Sequence, residues 1–127
     1  MAFNAPFAPL PAQTIGFSAG VASQSRQIPV SAFWPTASGS PQTFPPQIRV
    51  YNAGTAVVWI WFSATTATLT IPTPGTTTVG TPQFGIPIVP GILEVYTLTN
   101  FQGGSLWLSD ISTAASQIYW LTPGEGL

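Results

Sequence analysis

Residues 47–62 read QIRVYNAGTAVVWIWF, and the architecture of the rest of the chain follows from them. β-Branched and aromatic residues on both sides of an Asn-Ala-Gly turn predict two strands joined as a hairpin. No charged side chain occurs between Val50 and Leu93. The second strand of the hairpin can therefore be covered on both faces without burying a charge.

The second strand is apolar on both of its faces. Successive side chains of a strand point to opposite faces, so Val58, Ile60 and Phe62 share one face while Trp59 and Trp61 share the other. The first face suits the core of the domain. The indole face needs its own cover, which residues 63–91, the N-terminal segment or another subunit can provide. We predict that Trp59 and Trp61 lie at or near a subunit contact.

The composition favours association with other proteins. A chain of 127 residues is long enough for one two-layer domain. Charged residues make up 4% of it, against about 25% in ordinary soluble domains, and the formal net charge is −1. Such a surface gives weak electrostatic repulsion between molecules and tends to promote assembly.

The few ionisable residues argue against catalysis. There is no Lys, His or Cys, so a Ser or Thr nucleophile lacks its usual activating base, and zinc lacks its usual ligands. Two arginines cannot neutralise a run of phosphates, so we expect neither a nucleic-acid partner nor a cofactor or metal. A paired-carboxylate glycosidase is conceivable but disfavoured, because Arg49 and Glu94 fit better as a cross-strand ion pair. The charged residues are Arg26, Arg49, Glu94, Asp110 and Glu125.

The N-terminal segment, residues 1–24, reads as an extended arm. Its prolines and glycines disfavour a regular helix, while Phe3, Phe7 and Leu10 favour docking on a surface. That surface is either the arm's own domain or a neighbouring subunit. The segment lacks the basic region and apolar run of a secretory signal, and no apolar window approaches the ~20 residues of a membrane span. We expect neither secretory export nor a membrane partner.

Residues 25–127 are predicted to form an all-β, antiparallel sandwich or jelly-roll-like domain. Short apolar runs separated by turn signals support this class, and no segment shows a convincing helical period. Residues 63–91 form a long excursion rich in Thr, Pro and Gly, which either is a functional loop or carries short edge strands. Besides the hairpin, strands are expected near residues 25–30, 92–99, 105–111 and 117–121, with a closing turn at 122–126.

Three short motifs are Ile48-Arg-Val-Tyr-Asn52 with Gly54-Thr-Ala56, Pro90-Gly91 leading to Glu94-Val-Tyr96, and the ending from Tyr119 through Thr-Pro-Gly-Glu-Gly-Leu127. They resemble small virion proteins of tailed bacteriophages, above all capsid-decoration, or cement, proteins. The resemblance covers roughly residues 47–127. It implies a homo-oligomer, dimer or trimer, on the outer surface of the head that bridges major capsid protein subunits. It also implies a protein that is made in the host cytoplasm.

Two alternatives remain open at this point. A tail or spike role is compatible with the same motifs. A carbohydrate-binding sandwich that stacks sugar rings on exposed Trp and Tyr side chains is also possible. Sugar sites usually add carboxylates or amides beside the aromatic platform, and the near absence of carboxylates favours the shell protein.

Overall fold

The structure, a computed structural model, describes residues 8–9, 13–33, 46–75, 84–98 and 106–125. As predicted, this part of the chain is all-β, with two antiparallel sheets and a single helical turn at Val30–Phe33. No helix within these ranges is long and apolar enough to cross a bilayer. The strands are β1 (Ala8–Pro9), β2 (Ile15–Ala19), β3 (Gln24–Ile28), β4 (Pro46–Asn52), β5 (Val58–Ser63), β6 (Ile86–Ile88), β7 (Leu93–Thr97), β8 (Leu106–Ser112) and β9 (Gln117–Glu125).

The two sheets contribute to one hydrophobic core. The five-stranded sheet has the order β1-β9-β4-β7, with β2 also paired to β9, and the four-stranded sheet has the order β3-β8-β5-β6. Alternation along the strands turns one face of each sheet towards this core. The core residues that are almost fully buried are Ala19, Ile28, Phe33, Ile48, Val50, Val58, Ile60, Ile88, Leu106, Leu108, Tyr119 and Leu121.

The predicted hairpin is wrong, although both of its strands exist. β4 lies in the five-stranded sheet and pairs with β7 and β9, whereas β5 lies in the four-stranded sheet and pairs with β6 and β8. The five residues between them carry the chain from one sheet to the other. A tight hairpin normally has a two-residue loop with positive φ at one or both central residues. Here neither Ala53 nor Gly54 is among the residues with positive φ in the described ranges.

Two buried amide side chains hold this crossover in place. Asn52 accepts a hydrogen bond from the Gly54 amide at 2.8 Å and donates to the carbonyls of Ala56, at 2.9 Å, and Ile88, at 2.8 Å. The Gln117 side-chain oxygen accepts from the amides of Thr55 and Ala56, at 2.7 and 2.8 Å. The turn's polar groups are thereby satisfied without direct pairing between β4 and β5.

The closing turn predicted at residues 122–126 is also wrong, because β9 continues to Glu125 through Pro123. The Ala53 amide donates to the Ile118 carbonyl, so the backbone N–H and C=O of Ile118 point towards β4. Because these groups alternate along a strand, those of the other even-numbered β9 residues also point towards β4, and those of Pro123 point to the opposite side. On that side, β2 pairs with β9 as far as Leu121, and the pairing of β1 with β9 starts at Gly124. Pro123 therefore lies at a gap where no amide donor is needed, which permits proline inside the sheet.

Parts of the predicted arm and excursion also belong to the folded domain. Residues 15–19, assigned to the arm, form β2, and Ala19 is in the core. The excursion contributes β6, a short edge strand containing Pro87, and a segment at residues 67–69. The Ala67 carbonyl accepts a hydrogen bond from Ser25, and the Leu69 amide donates to Ser23, which places this segment against β3.

Candidate interaction surface

The face of the five-stranded sheet that points away from the core is rich in exposed apolar side chains. Register aligns Leu93 on β7, Tyr51 on β4, Trp120 on β9 and Gly16 on β2 in one row across the sheet. Isolated apolar residues on a surface are ordinary, but a contiguous set is not. We define the exposed apolar face by Tyr51, Leu93, Val95, Ile118 and Trp120, which are 36%, 55%, 45%, 46% and 45% exposed.

The Trp120 ring extends over Gly16 of β2, a position where there is no side chain to block it. A Cβ atom placed on Gly16 would lie 2.5 Å from Cζ3 of the Trp120 ring and 2.7 Å from Cε3. Real Cβ atoms do not approach other atoms that closely, so any other residue at this position would push the indole away from the sheet. Gly16 therefore lets the largest side chain of the exposed apolar face cover the neighbouring strand.

Polar groups around the exposed apolar face are mostly uncharged. The Thr14 and Thr122 hydroxyls form a hydrogen bond of 3.0 Å beside Trp120. Register places Arg49 between Val95 and Thr122, the one charged residue among the outward-pointing positions of β2, β4, β7 and β9. A surface of this composition gains little from ionic contacts and much from excluding water.

A second feature, a buried ionic network, joins the two sheets. Asp110 on β8 is fully buried, and one of its oxygens accepts hydrogen bonds from the Arg26 guanidinium and the Tyr119 hydroxyl. Arg26 also donates to the Ser18 carbonyl at 2.6 Å and lies 4.8 Å above the centre of the Phe17 ring. Strands of both sheets meet here, so we interpret the network as an inter-sheet tie.

Burial controls the ionisation of this network. It raises the pKa of the Asp110 carboxyl above its ordinary value, against the lowering effect of the hydrogen bond from Tyr119 and of the Arg26 charge. Burial, together with the Asp110 charge, also raises the pKa of the Tyr119 hydroxyl. The other oxygen of Asp110, Oδ1, is buried and has no hydrogen-bond partner in the described part of the chain. Such an atom favours the protonated carboxyl.

We expect the stability of the protein to rise on mild acidification. Because the folded state raises the pKa of Asp110, it binds a proton more tightly than the unfolded chain does. The free energy of unfolding should therefore increase as the pH falls through the folded-state pKa, and level off below the unfolded value near 4. Thermal melts between pH 7 and pH 4 measure this. Asp110→Asn should remove the slope, and identical profiles for both proteins would contradict the assignment.

The structure puts Trp59 and Trp61 on the outer face of the four-stranded sheet, opposite Ile111 and Ser109. Both indoles are partly buried within the single chain, and the Trp59 ring nitrogen is buried without a hydrogen-bond partner among the described residues. Ala67 lies on the same face, where its amide approaches the Ser109 hydroxyl at 3.3 Å. The subunit contact at these tryptophans stays a prediction.

The predicted ion pair of Arg49 and Glu94 is not formed by directly opposed residues. Register places Arg49 opposite Val95, and Glu94 opposite Val50. Because side chains alternate along a strand, the Arg49 and Glu94 side chains point to opposite faces of the sheet. Their pairing stays a prediction. The other predicted contact residues, Phe3, Phe7 and Leu10, lie outside the described ranges.

Sequence reasoning overlooked both the exposed apolar face and the ionic network. The sequence contained a signal for the face, because residues 118–121 are apolar or aromatic at every position. Alternation puts Ile118 and Trp120 on one face of the strand and Tyr119 and Leu121 on the other, so both faces are apolar, as in β5. The signal for the network was Asp110, the one charged residue in a strand that otherwise contains apolar residues and two serines. Its partner Arg26 is distant in sequence, so spacing alone does not connect them.

No protein-family model, curated protein or solved structure matches the chain. In the described ranges, no group of three or more His, Cys, Asp or Glu side chains is placed to hold a metal ion.

Proposed function

We propose that the protein is a structural virion protein, a capsid decoration protein that stabilises the head by bridging major capsid protein subunits. The observation that carries the proposal is the exposed apolar face, which presents Tyr51, Leu93, Val95, Ile118 and Trp120 with only one charged residue among them. The largest apolar patch of a monomer typically measures about 300–600 Å² and is often functional. The resemblance of the sequence motifs to cement proteins supplies the partner.

The size of the face suits a contact made by exclusion of water. With aromatic side chains at roughly 150–250 Å² when fully exposed, and aliphatic ones somewhat smaller, the exposed fractions correspond to roughly 400 Å² of apolar surface. At about 25 cal/mol per Å² this represents a gross ~10 kcal/mol before ordering costs. Two arginines and three acids in the whole chain add little to this. Binding should therefore depend only weakly on salt.

The proposal includes finer features of the architecture. The two sheets are proposed to form a jelly-roll-like sandwich, which their common core supports. The extended arm is retained as a proposal for the residues that precede β1, because β1 and β2 are both paired with β9 within the domain. Phe3 and Phe7 would then supplement the exposed apolar face by docking on a neighbouring subunit. In this proposal the protein is not an enzyme and needs no cofactor.

Carbohydrate binding is the second candidate, and one observation favours it. Tyr51 and Trp120 are directly opposed on β4 and β9, both exposed, with the hydroxyls of Thr14 and Thr122 beside them. Adjacent aromatic rings on a sheet can stack on the apolar faces of sugars. A phage tail or spike protein would use such a platform to bind a host glycan. The experiment must therefore distinguish binding to phage heads from binding to glycans.

Replacing both Tyr51 and Trp120 by Ser should weaken binding to phage heads by at least about a hundredfold. Their exposed fractions amount to nearly half of the apolar patch, and about 2.7 kcal/mol is enough for this change in affinity. Co-sedimentation of purified protein with heads that lack it measures the effect, in low salt and in molar NaCl. The wild type should bind equally well in both.

Val21→Ser is the matched control, because Val21 is 67% exposed and lies in the segment between β2 and β3. This variant should bind heads like the wild type, and all variants should keep their cooperative melts. Unchanged head binding by the double variant would overturn the role of the exposed apolar face. A wild type that ignores heads but binds immobilised glycans through Tyr51 and Trp120 would replace the shell proposal by the carbohydrate one.

A further inference from the structure

We propose that two copies of this chain pair along β7, antiparallel and about a two-fold axis at Val95, so that their five-stranded sheets become continuous. This proposal rests on the proposed function, which makes this side of the molecule a contact surface. It adds that one partner at this surface is a second copy of the chain. β7 is the last strand of its sheet in the described part of the chain. Such an edge is a template for another strand.

The backbone groups on this edge follow from the hydrogen bonds of the adjoining turn. The Asn52 amide donates to the Ile92 carbonyl, so the backbone of Ile92 faces β4. Backbone groups of successive residues in a strand point to opposite sides. Those of Glu94 and Tyr96 therefore also face β4, while those of Leu93, Val95 and Thr97 point away from the sheet. Three residues with outward amides and carbonyls, evenly spaced about Val95, match the needs of a two-fold pairing.

The position of Glu94 selects the register. A two-fold axis at Glu94 would put two carboxylates directly opposite each other in a closely spaced, non-hydrogen-bonded pair, where like charges are unfavourable. An axis at Val95 instead places Glu94 opposite Tyr96 of the second copy and Leu93 opposite Thr97. Each Val95 amide then meets the other Val95 carbonyl. Glu94 carries the one charge on β7, so it decides between the two registers.

Apolar exposure is concentrated next to this edge. Val89, Ile92, Leu93 and Val95 are 53%, 44%, 55% and 45% exposed, and Leu93 and Val95 belong to the exposed apolar face. Pairing along β7 would join the faces of the two copies into one surface twice as wide. A formal net charge of −1 on each chain opposes this association only weakly. We therefore favour a second copy as the occupant over a strand from another protein.

Single cysteine substitutions test both the pairing and its register, because the chain contains no cysteine. In the proposed dimer the two Val95 Cα atoms lie about 5.5 Å apart, within the range that a disulfide can bridge. Val95→Cys should therefore form a covalent dimer under mild oxidation at micromolar concentration much faster than a cysteine outside the contact, once the strands shift enough to bring the two Cβ atoms, about 5.5 Å apart, into bonding range. Leu93→Cys is the matched control, because it is on the same strand and face and is more exposed, yet should stay largely uncrosslinked.

An equimolar mixture of Leu93→Cys and Thr97→Cys should cross-link, because the proposed register places these positions opposite each other. Val21→Cys reports the rate of random collision. Cross-linking of Val95→Cys no faster than that of Val21→Cys, or equal rates for Val95→Cys and Leu93→Cys, would overturn the proposal.

Hydrogen exchange of the unmodified protein provides a check that needs no variant. The amides of Leu93, Val95 and Thr97 should be protected in concentrated solution and should lose protection on dilution, together with a change in sedimentation from dimer to monomer. A monomer at all concentrations with unprotected amides would overturn the β7 pairing. If the same protein still bound heads through Tyr51 and Trp120, the proposed function would stand without this inference.

Discussion

Asp110→Ala is expected to lower the free energy of unfolding by about 3 kcal/mol, the lower end for breaking a buried ion pair. The substitution leaves the Arg26 guanidinium without its carboxylate and removes the acceptor for the Tyr119 hydroxyl. The Arg26 side chain is 23% exposed, so water reaches part of it and limits the loss. Equilibrium denaturation at neutral pH measures the change.

Two further variants show whether the loss comes from the ion pair. Adding Arg26→Met to Asp110→Ala should restore part of the stability, because no buried charge is then left uncompensated. Glu94→Ala, at an exposed acid, should change the free energy of unfolding by no more than about 0.5 kcal/mol. A larger loss in Glu94→Ala would support its pairing with Arg49. A negligible loss in Asp110→Ala would contradict the inter-sheet tie.

Asn52→Ala is expected to destabilise the protein by about 2–4 kcal/mol, because several buried polar groups lose their partner at once. The Asn52 side chain is fully buried and bonds to Gly54, Ala56 and Ile88. The Ile88 bond also connects β4 with the four-stranded sheet, so its loss loosens the crossover. Equilibrium denaturation again provides the measurement.

Thr55→Ala is the appropriate control for the crossover. Thr55 lies in the same turn with an exposed side chain, and its backbone amide keeps its bond to Gln117 after substitution. The control should be within about 0.5 kcal/mol of the wild type. If Asn52→Ala behaves like Thr55→Ala, the crossover is held by backbone geometry, and the buried amide contributes little.

Local pattern was sufficient for the strands and for the face of β5. Val58 and Ile60 are fully buried as alternation predicts, and Phe62 packs against the core. Strands near residues 25–30, 92–99, 105–111 and 117–121 are confirmed, with β7 and β9 shifted at their ends. These features depend on side-chain period, which a strand displays whatever its neighbours are.

Strand pairing was beyond the reach of the same pattern. An Asn-Ala-Gly sequence between two apolar runs is compatible with a hairpin and with a crossover, and buried Gln117, far along the chain, decides between them. Trp59 and Trp120 illustrate the same limit. Both alternate with core residues, but the chain passes close to the outer face of the four-stranded sheet at Ala67 and leaves Trp120 exposed. Which sheet face is covered depends on contacts distant in sequence.

The central position of β9 has a consequence for the order of folding. Residues 117–125 pair with β4 on one side and with β1 and β2 on the other, so they connect segments separated by most of the chain. Until β9 has been synthesised, β1 and β2 lack the strand with which they pair, and β4 can pair only with β7. The apolar surfaces of these strands therefore stay exposed until β9 pairs with them. Pairing of β9 is slow because it closes long loops. Before β9 pairs, nascent chains of this protein should need chaperones to avoid aggregation.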